Sequence, residues 1–246
     1  MPRPRRPLTI PRVIPREQTA DLSILERLVA PAAKDVVDIG CGGGGLVRAL
    51  VARGARAVGL EISPEQLAPA LARAGDDSDT ERYLVGRAEA LPLDDASVDV
   101  AVFMRTLHHV PPSHLQRALS EARRVLRPGG LVYVAEPLTE GDFYALTSVV
   151  EDELEVRRAA EAALANAGRA GLERIETVEY EVRLCLAGRA ALRARMVSVD
   201  PARGAVFDER EAELAEAFER LGEPGEEPGE RCFLQPMRAD LLCPAA

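Results

Sequence analysis

Apolar positions come in two alternating rhythms over the first half of the chain. Lys34-Asp-Val-Val-Asp-Ile-Gly is a short β-branched run that ends in a cluster of glycines, and Leu46 to Arg53 follows with helical spacing, closed by Gly54. The unit then repeats. Ala55 to Ile62 predicts a second strand, and Ser63-Pro-Glu-Gln opens the next helix with a capping serine and a proline at the first helical position. Tyr83–Gly86, Val98–Met104 and Leu131–Ala135 predict three more strands, with a helix over Ser113–Leu126 that Pro128-Gly-Gly follows. Strands alternating with helices over this length predict a parallel sheet covered on both faces. A short amphipathic helix over Ala20–Val29 precedes it, stopped by Pro31.

The second half is less regular. Ala145–Ala167 is a helical stretch broken near its start, and Leu172–Leu186 alternates as a strand through Val178, Tyr180, Val182 and Leu184. Ala187–Leu221 carries two helical patterns separated by Asp200-Pro. Gly222-Glu-Pro-Gly-Glu-Glu-Pro-Gly-Glu predicts a flexible, solvated acidic loop. Arg231–Cys243 predicts a closing strand in which Pro236 implies an edge or a bulge.

The chain has 246 residues and a net charge of −9, with no tryptophan and few aromatics. That balance argues against nucleic acid as a partner, because neither a phosphate-binding surface nor base-stacking platforms are supplied. The charge is uneven. Residues 1–16 hold Arg3, Arg5, Arg6, Arg12 and Arg16 and no acid, so residues 1–19 predict a disordered Pro/Arg leader, or a contact for an acidic partner, ahead of one domain over 20–246. No apolar run is long enough for stable membrane insertion. Cys41, Cys185, Cys232 and Cys243 are far apart and lack metal-ligand spacing, so neither a metal nor a disulfide framework is expected and a reducing, cytoplasmic setting fits. Nothing in the sequence bears on oligomeric state.

The chemistry concentrates at the glycine cluster. Gly40, Gly42 and Gly44 stand at alternate positions just after a strand, where backbone can approach a ligand closely and the next helix favours negative charge. A tight turn or a nicotinamide site would also use such glycines. Asp38, two residues earlier, is unwelcome beside a pyrophosphate but suits a ligand with an ammonium group. Glu61, ending the next strand, can accept from both hydroxyls of a ribose, a feature shared with nicotinamide sites. Three further pieces follow in order: Ala88-Glu-Ala-Leu-Pro-Leu, Asp99-Val-Ala-Val-Phe-Met-Arg-Thr-Leu-His-His-Val and Arg123-Arg-Val-Leu-Arg-Pro-Gly-Gly-Leu.

With these pieces, Val36 to Glu136 resembles the class I S-adenosylmethionine-dependent methyltransferases, in particular the small bacterial type-11, ubiquinone/menaquinone-like branch. The resemblance implies an α/β, Rossmann-like, seven-stranded, mostly parallel sheet with helices on both faces and an antiparallel last strand inserted between its neighbours. It implies S-adenosyl-L-methionine as cofactor, S-adenosyl-L-homocysteine as product and a small-molecule methyl acceptor at O, N or C. Asp38 and the Gly40 carbonyl would face the methionine ammonium, with Cys41 and Gly42 giving room. Glu61 would hold the ribose, Ile62 pack on adenine, Ala88 and Glu89 border the adenine edge, and Met104 and Arg105 border the methionine end. Many relatives carry an aspartate where this chain has Arg87, which offers no acceptor to the adenine amino group, so either Glu89 substitutes or backbone alone reads the base.

His108, His109 and His114 share one segment after the fourth strand. His109, with His108, is the candidate base for an acceptor that carries a proton; the segment can equally be a packing feature. Glu136 points at the same mouth. The stretch 187–221 is the expected lid, in which Arg193, Arg195 and Met196 form a mixed apolar and cationic wall suited to an acidic acceptor. The alternative from another class is a non-catalytic protein that binds the same nucleoside as a structural or regulatory ligand.

Overall fold

The computed structural model describes residues 16–74 and 79–245. In chain order its elements are β1 (Glu17–Gln18), α1 (Asp21–Val29), β2 (Asp35–Ile39), α2 (Gly45–Val51), β3 (Arg56–Glu61), α3 (Pro64–Leu71), β4 (Glu81–Val85), β5 (Val98–Met104), α4 (Leu115–Val125), β6 (Leu126–Pro137), α5 (Asp142–Thr147), α6 (Leu154–Ala165), β7 (Leu172–Leu186), α7 (Arg189–Val199), α8 (Arg203–Glu209), α9 (Glu211–Leu221), β8 (Glu223–Pro224) and β9 (Arg231–Pro244). They build one sheet in the order β1-β7-β9-β6-β5-β2-β3-β4, with β8 paired to β9. The expected seven strands are present, and two-residue strands β1 and β8 are added to them. β2 through β6 run parallel, whereas β9 lies antiparallel between β6 and β7, as the family resemblance implied.

Alternation along the central strands explains the two layers. Val36, Val100 and Val102 face one side with Ile24, Leu25, Val47, Leu50 and Leu67 from α1, α2 and α3. Val37, Ala101 and Phe103 face the other with Leu115, Leu119 and Ala122 of α4 and Ala160, Ala163 and Leu164 of α6. Helix α3 starts as its sequence required: Ser63 Oγ accepts from the Gln66 N–H at 3.2 Å and Pro64 follows the cap. A third apolar cluster lies apart from the sheet layers. Phe143 and Leu146 of α5 pack with Leu192, Met196, Phe207, Leu214 and Phe218 of α7, α8 and α9 and with Phe233 of β9. The stretch 187–221, expected as a lid of two helices, forms three, because the second helical pattern breaks at Arg210.

Four expectations need correcting. Pro236 lies on an interior strand and no register break falls there. It sits one residue past the end of the β6 ladder, which closes at Pro137↔Met237, so its missing N–H costs no bond on that side. The acidic loop is a closed hairpin: β8 pairs Glu223 with Cys232, Gly225 N–H donates to Glu230 O at 3.0 Å, and Glu226 N–H donates to the Glu230 carboxylate at 2.9 Å. Residues 16–19 of the expected leader are held at the sheet edge. Arg16 pairs with Glu140 at 2.6 Å and Glu179 at 2.8 Å, and β1 pairs with β7; residues 1–15 lie outside the described residues. Finally, Cys185 and Cys232 form a disulfide, since β7 and β9 set them directly opposite each other with Cα atoms 4.0 Å apart. Among the described residues no helix is long and apolar enough to cross a membrane.

This bond closes a loop of 47 residues that contains the whole lid. Reduction is expected to cost roughly 2–4 kcal/mol in denaturant unfolding, and a Cys185→Ser/Cys232→Ser variant should match the reduced chain with or without reductant. Equal midpoints for the oxidised and reduced wild type would show that the two cysteines are not joined.

Candidate active site

All the candidate residues lie at the carboxyl ends of β2 to β6, the edge where a parallel sheet opens between its loops. The β2–α2 turn runs through left-handed backbone that favours glycine. Gly40, Gly42 and Gly44 have φ of +81°, +48° and +74°. A Cβ on Gly40 would collide with the Thr106 side chain, and one on Gly44 would collide with Tyr83. A Cβ on Gly42 would meet nothing within 4 Å, because that face looks into open space.

Glu61, at the tip of β3 and 7% exposed, fixes the turn. One carboxylate oxygen accepts from Gly42 N–H at 3.0 Å, and the other accepts from Ile62 at 2.8 Å and Ser63 at 3.1 Å. Asp38 lies deeper, 2% exposed. Its Oδ1 has no hydrogen-bond partner, and burial together with the nearby Glu61 charge pushes its pKa up to about 7. An orphaned carboxylate oxygen in this position is a standing demand for a donor or a cation.

A cavity of about 370 Å³ opens in front of the turn. Gly40, Gly42, Glu61, Ile62, Ala88, Glu89, Met104 and Arg105 all line it. Asp38 is buried and is not among its lining residues, and Cys41 packs into the core beside Gly59. Glu89 is drawn toward Arg87, whose Nε donates to it at 2.7 Å, while His114 Nδ1 stands 3.3 Å away. Burial opposes ionisation of Glu89, but the Arg87 bond, a backbone hydrogen bond and the charges of Arg87 and His114 together outweigh it, and its pKa is lowered. Arg87 therefore orients the acid next to it rather than offering an acceptor of its own.

The histidine segment is held by β6. Glu136 Oε1 accepts from Thr106 N–H at 3.1 Å and Leu107 N–H at 2.7 Å, and Oε2 bonds His108 Nδ1. Glu136 is thus committed to the turn and does not project free into the mouth, as its place in the sequence had suggested. His108 is 4% exposed, with Nε2 at 3.8 Å from Glu153. His109 stacks on it with centroids 4.0 Å apart. Burial, then repulsion from His108, lowers the His109 pKa, so this imidazole is neutral at pH 7. His108, His109 and Glu153 could jointly hold a metal ion, although both Glu153 oxygens are bound by guanidinium groups, Arg157 at 2.7 Å and Arg203 at 3.0 Å. Cys185, Glu230 and Cys232 also lie together, but both sulfurs are taken up by the disulfide. Metal-ligand spacing in the sequence suggested neither cluster.

A second cavity, of about 250 Å³, lies under the lid and shares Arg105, His109 and Val199 with the first. Arg105 adopts φ of +56°, a strained value for a side chain of its size, and is held there by Asp21 of α1 at 2.8 Å. Asp21 in turn accepts from Tyr180 of β7 at 2.6 Å. Neither Asp21 nor Tyr180 was singled out from the sequence, where nothing ties a helix start to a distant strand.

Comparison with known proteins agrees with this geometry. Residues 37–134 match a family model described as a methyltransferase domain. This segment is similar to methyltransferase domains. An uncharacterized methyltransferase from Synechocystis is 37% identical over 107 residues, 44% of this chain and 49% of that one. A ubiquinone biosynthesis O-methyltransferase from Sodalis glossinidius is 36% identical over 45% of this chain and 44% of its own. The match thus spans about half the length of these relatives. The BH2331 protein of Bacillus halodurans superposes with a TM-score of 0.61 over 92% of this chain and 99% of its own at 19% identity. The [4+2]-cyclase SpnF reaches 0.52 over 91% and 80% at 20% identity, so the shared fold by itself fixes no reaction.

The matched segment of the methyltransferase domain covers the glycine turn, Glu61, the Ala88–Glu89 pair and the histidines, but stops before the lid. Two glycine substitutions separate folding from binding at this turn. Gly40→Ala should destabilise the chain by about 2–4 kcal/mol, through left-handed strain and the Thr106 collision. Gly42→Ala should cost only about 1 kcal/mol yet weaken nucleoside binding at least tenfold, since its methyl group enters the cavity. Denaturant unfolding and calorimetry with S-adenosyl-L-homocysteine check the pair; equal effects of the two variants on both readouts would contradict this account.

Proposed function

We propose that this chain is an S-adenosyl-L-methionine-dependent methyltransferase acting on O, N or C of a small-molecule acceptor. The observation that carries the reading is the pair of adjoining cavities. One is framed by the glycine turn and Glu61, the other lies under the lid, and His109 forms part of both walls. The residues present suit the donor. Asp38 has an unmet bonding demand that an ammonium group answers, and Gly42 leaves the wall bare where a ligand must come close. Gly40 and Cys41 would complete the turn around the methionine end, with Met104 and Arg105 beyond it. Glu61 would accept from the ribose hydroxyls, Ile62 would cover the adenine, and Ala88 with Glu89 would meet its edge.

When bound, the donor supplies an electrophilic methyl group. The chain's part is to align the acceptor, exclude water and take up a proton where the acceptor has one to lose. His109 is neutral and faces both cavities, so its ring can accept that proton, while His108, tied to Glu136, fixes the segment that presents it. The acidic net charge and absence of tryptophan favour a metabolite over a nucleic acid as acceptor.

Calorimetry should show binding of S-adenosyl-L-homocysteine and none of NAD; the reverse result would end this reading. Linkage adds a sharper check. The Asp38 carboxyl titrates near 7 in the folded chain against 3.8 ordinarily, so it disfavours the folded state progressively as pH rises from about 4 to 7. A ligand ammonium beside it favours the ionised form. Affinity for S-adenosyl-L-homocysteine should therefore climb by up to about tenfold per pH unit below 7 and level off above. Asp38→Asn should bind weakly with a flat profile, and an unchanged affinity would remove the ammonium assignment. Transfer of labelled methyl groups to a metabolite panel tests turnover. On an acceptor so found that loses a proton, His109→Ala should lower kcat by about 10²–10⁴-fold with little effect on S-adenosyl-L-homocysteine binding.

A further inference from the structure

The class of acceptor can be read from one guanidinium group, given the methyltransferase reading above. Arginines supply nearly all the positive charge in and around the lid, and nearly all are neutralised. Arg193 pairs with Asp208 at 2.8 Å, Arg189 with Glu211 at 3.3 Å, Arg157 and Arg203 with Glu153, and Arg105 with Asp21. Arg195 of α7 differs. Among the described residues no carboxylate forms an ion pair with it within 4 Å, and Asp21, whose charge acts on it from farther off, is already taken by Arg105 and Tyr180.

Arg195 lines the cavity under the lid with its Cζ 5.7 Å from the centre of the Phe143 ring. Surrounding protein and the neighbouring Arg105 both act against its charge and lower its pKa. Arg195 stays partly open to solvent, but a guanidinium beside another arginine and without a counter-charge of its own gains from an anion entering the cavity. The fork of a guanidinium matches a carboxylate with two parallel bonds. The other acids on the cavity wall do not supply it: Glu151 is bound by Arg203, and Glu153 by Arg157 and Arg203.

We propose that Arg195 seats a carboxylate of the methyl acceptor. The acceptor's apolar body lies against Phe143, Met196 and Val199, and the atom to be methylated points toward His109. A single free guanidinium sets the charge: one negative unit is balanced, whereas a doubly charged phosphate would bring an excess into a cavity that already holds Glu151 and Glu153. Arg195 is thus a specificity-determining residue carried by α7.

The test uses the full chain saturated with S-adenosyl-L-homocysteine. 4-Hydroxybenzoate, phenylacetate and octanoate are titrated against their neutral primary amides and against phenyl phosphate, with affinities read by ligand-observed NMR. At least one acid should bind about tenfold or more tightly than its amide. Arg195→Gln should abolish that difference and Arg195→Lys keep part of it, while the affinity for S-adenosyl-L-homocysteine stays within about threefold in both variants, showing that they fold. Amides matching the acids throughout, or discrimination surviving in Arg195→Gln, would overturn the proposal. Phenyl phosphate outbinding every acid would overturn the carboxylate assignment. If wild type fails to bind S-adenosyl-L-homocysteine, the methyl-transfer reading fails separately, and the acids and amides titrated on the free chain are judged by the same criteria.

Discussion

A buried carboxylate must find donors, and at the open edge of this sheet two of them find backbone. Glu61 at the tip of β3 gathers the N–H groups of Gly42, Ile62 and Ser63, and Glu136 near the end of β6 gathers those of Thr106 and Leu107. Each ties its own strand to a loop, and three of these five donors, Gly42, Ile62 and Thr106, line the cavity in front of the turn. Desolvation would make either group costly if left unmet, so each loop is held in the conformation that satisfies its acid. The glycine turn and the histidine segment are therefore consequences of strand ends. Moving either acid would move the cavity walls with it.

The parallel half of the fold could be read directly from the chain, because its signals are local. Strand and helix rhythms alternate cleanly from Lys34 to Ala135, and glycine at 40, 42 and 44 has few conformational substitutes. Eight of the ten residues expected at the cofactor line one cavity. The exceptions are instructive. Asp38 is buried and does not line the cavity, and Cys41 turns into the apolar layer against Gly59.

What escaped the sequence depends on register between distant segments. Cys185 and Cys232 are 47 residues apart and meet because β7 and β9 are antiparallel with one particular offset. The Tyr180–Asp21–Arg105 chain joins three elements that share no local pattern. Pro236 looked like a mark of an edge strand, yet it is tolerated inside the sheet because β6 ends one residue earlier. In each case the side chain's role is set by its partner's position, and a one-residue slip would abolish it.

The insertion of β9 has a bearing on how the protein reaches this state. β6 ends at Pro137, and the strand that covers its free edge begins at Arg231, so on the order of ninety residues must be synthesised before that edge is covered. Until then β6 presents unpaired N–H and C=O groups and an apolar stretch through Val132, Tyr133, Val134 and Ala135 to any other extended chain. The strand that shields the middle of the sheet is made long after the strand it covers, which makes the nascent protein's exposure to self-association a matter of timing rather than of its final stability.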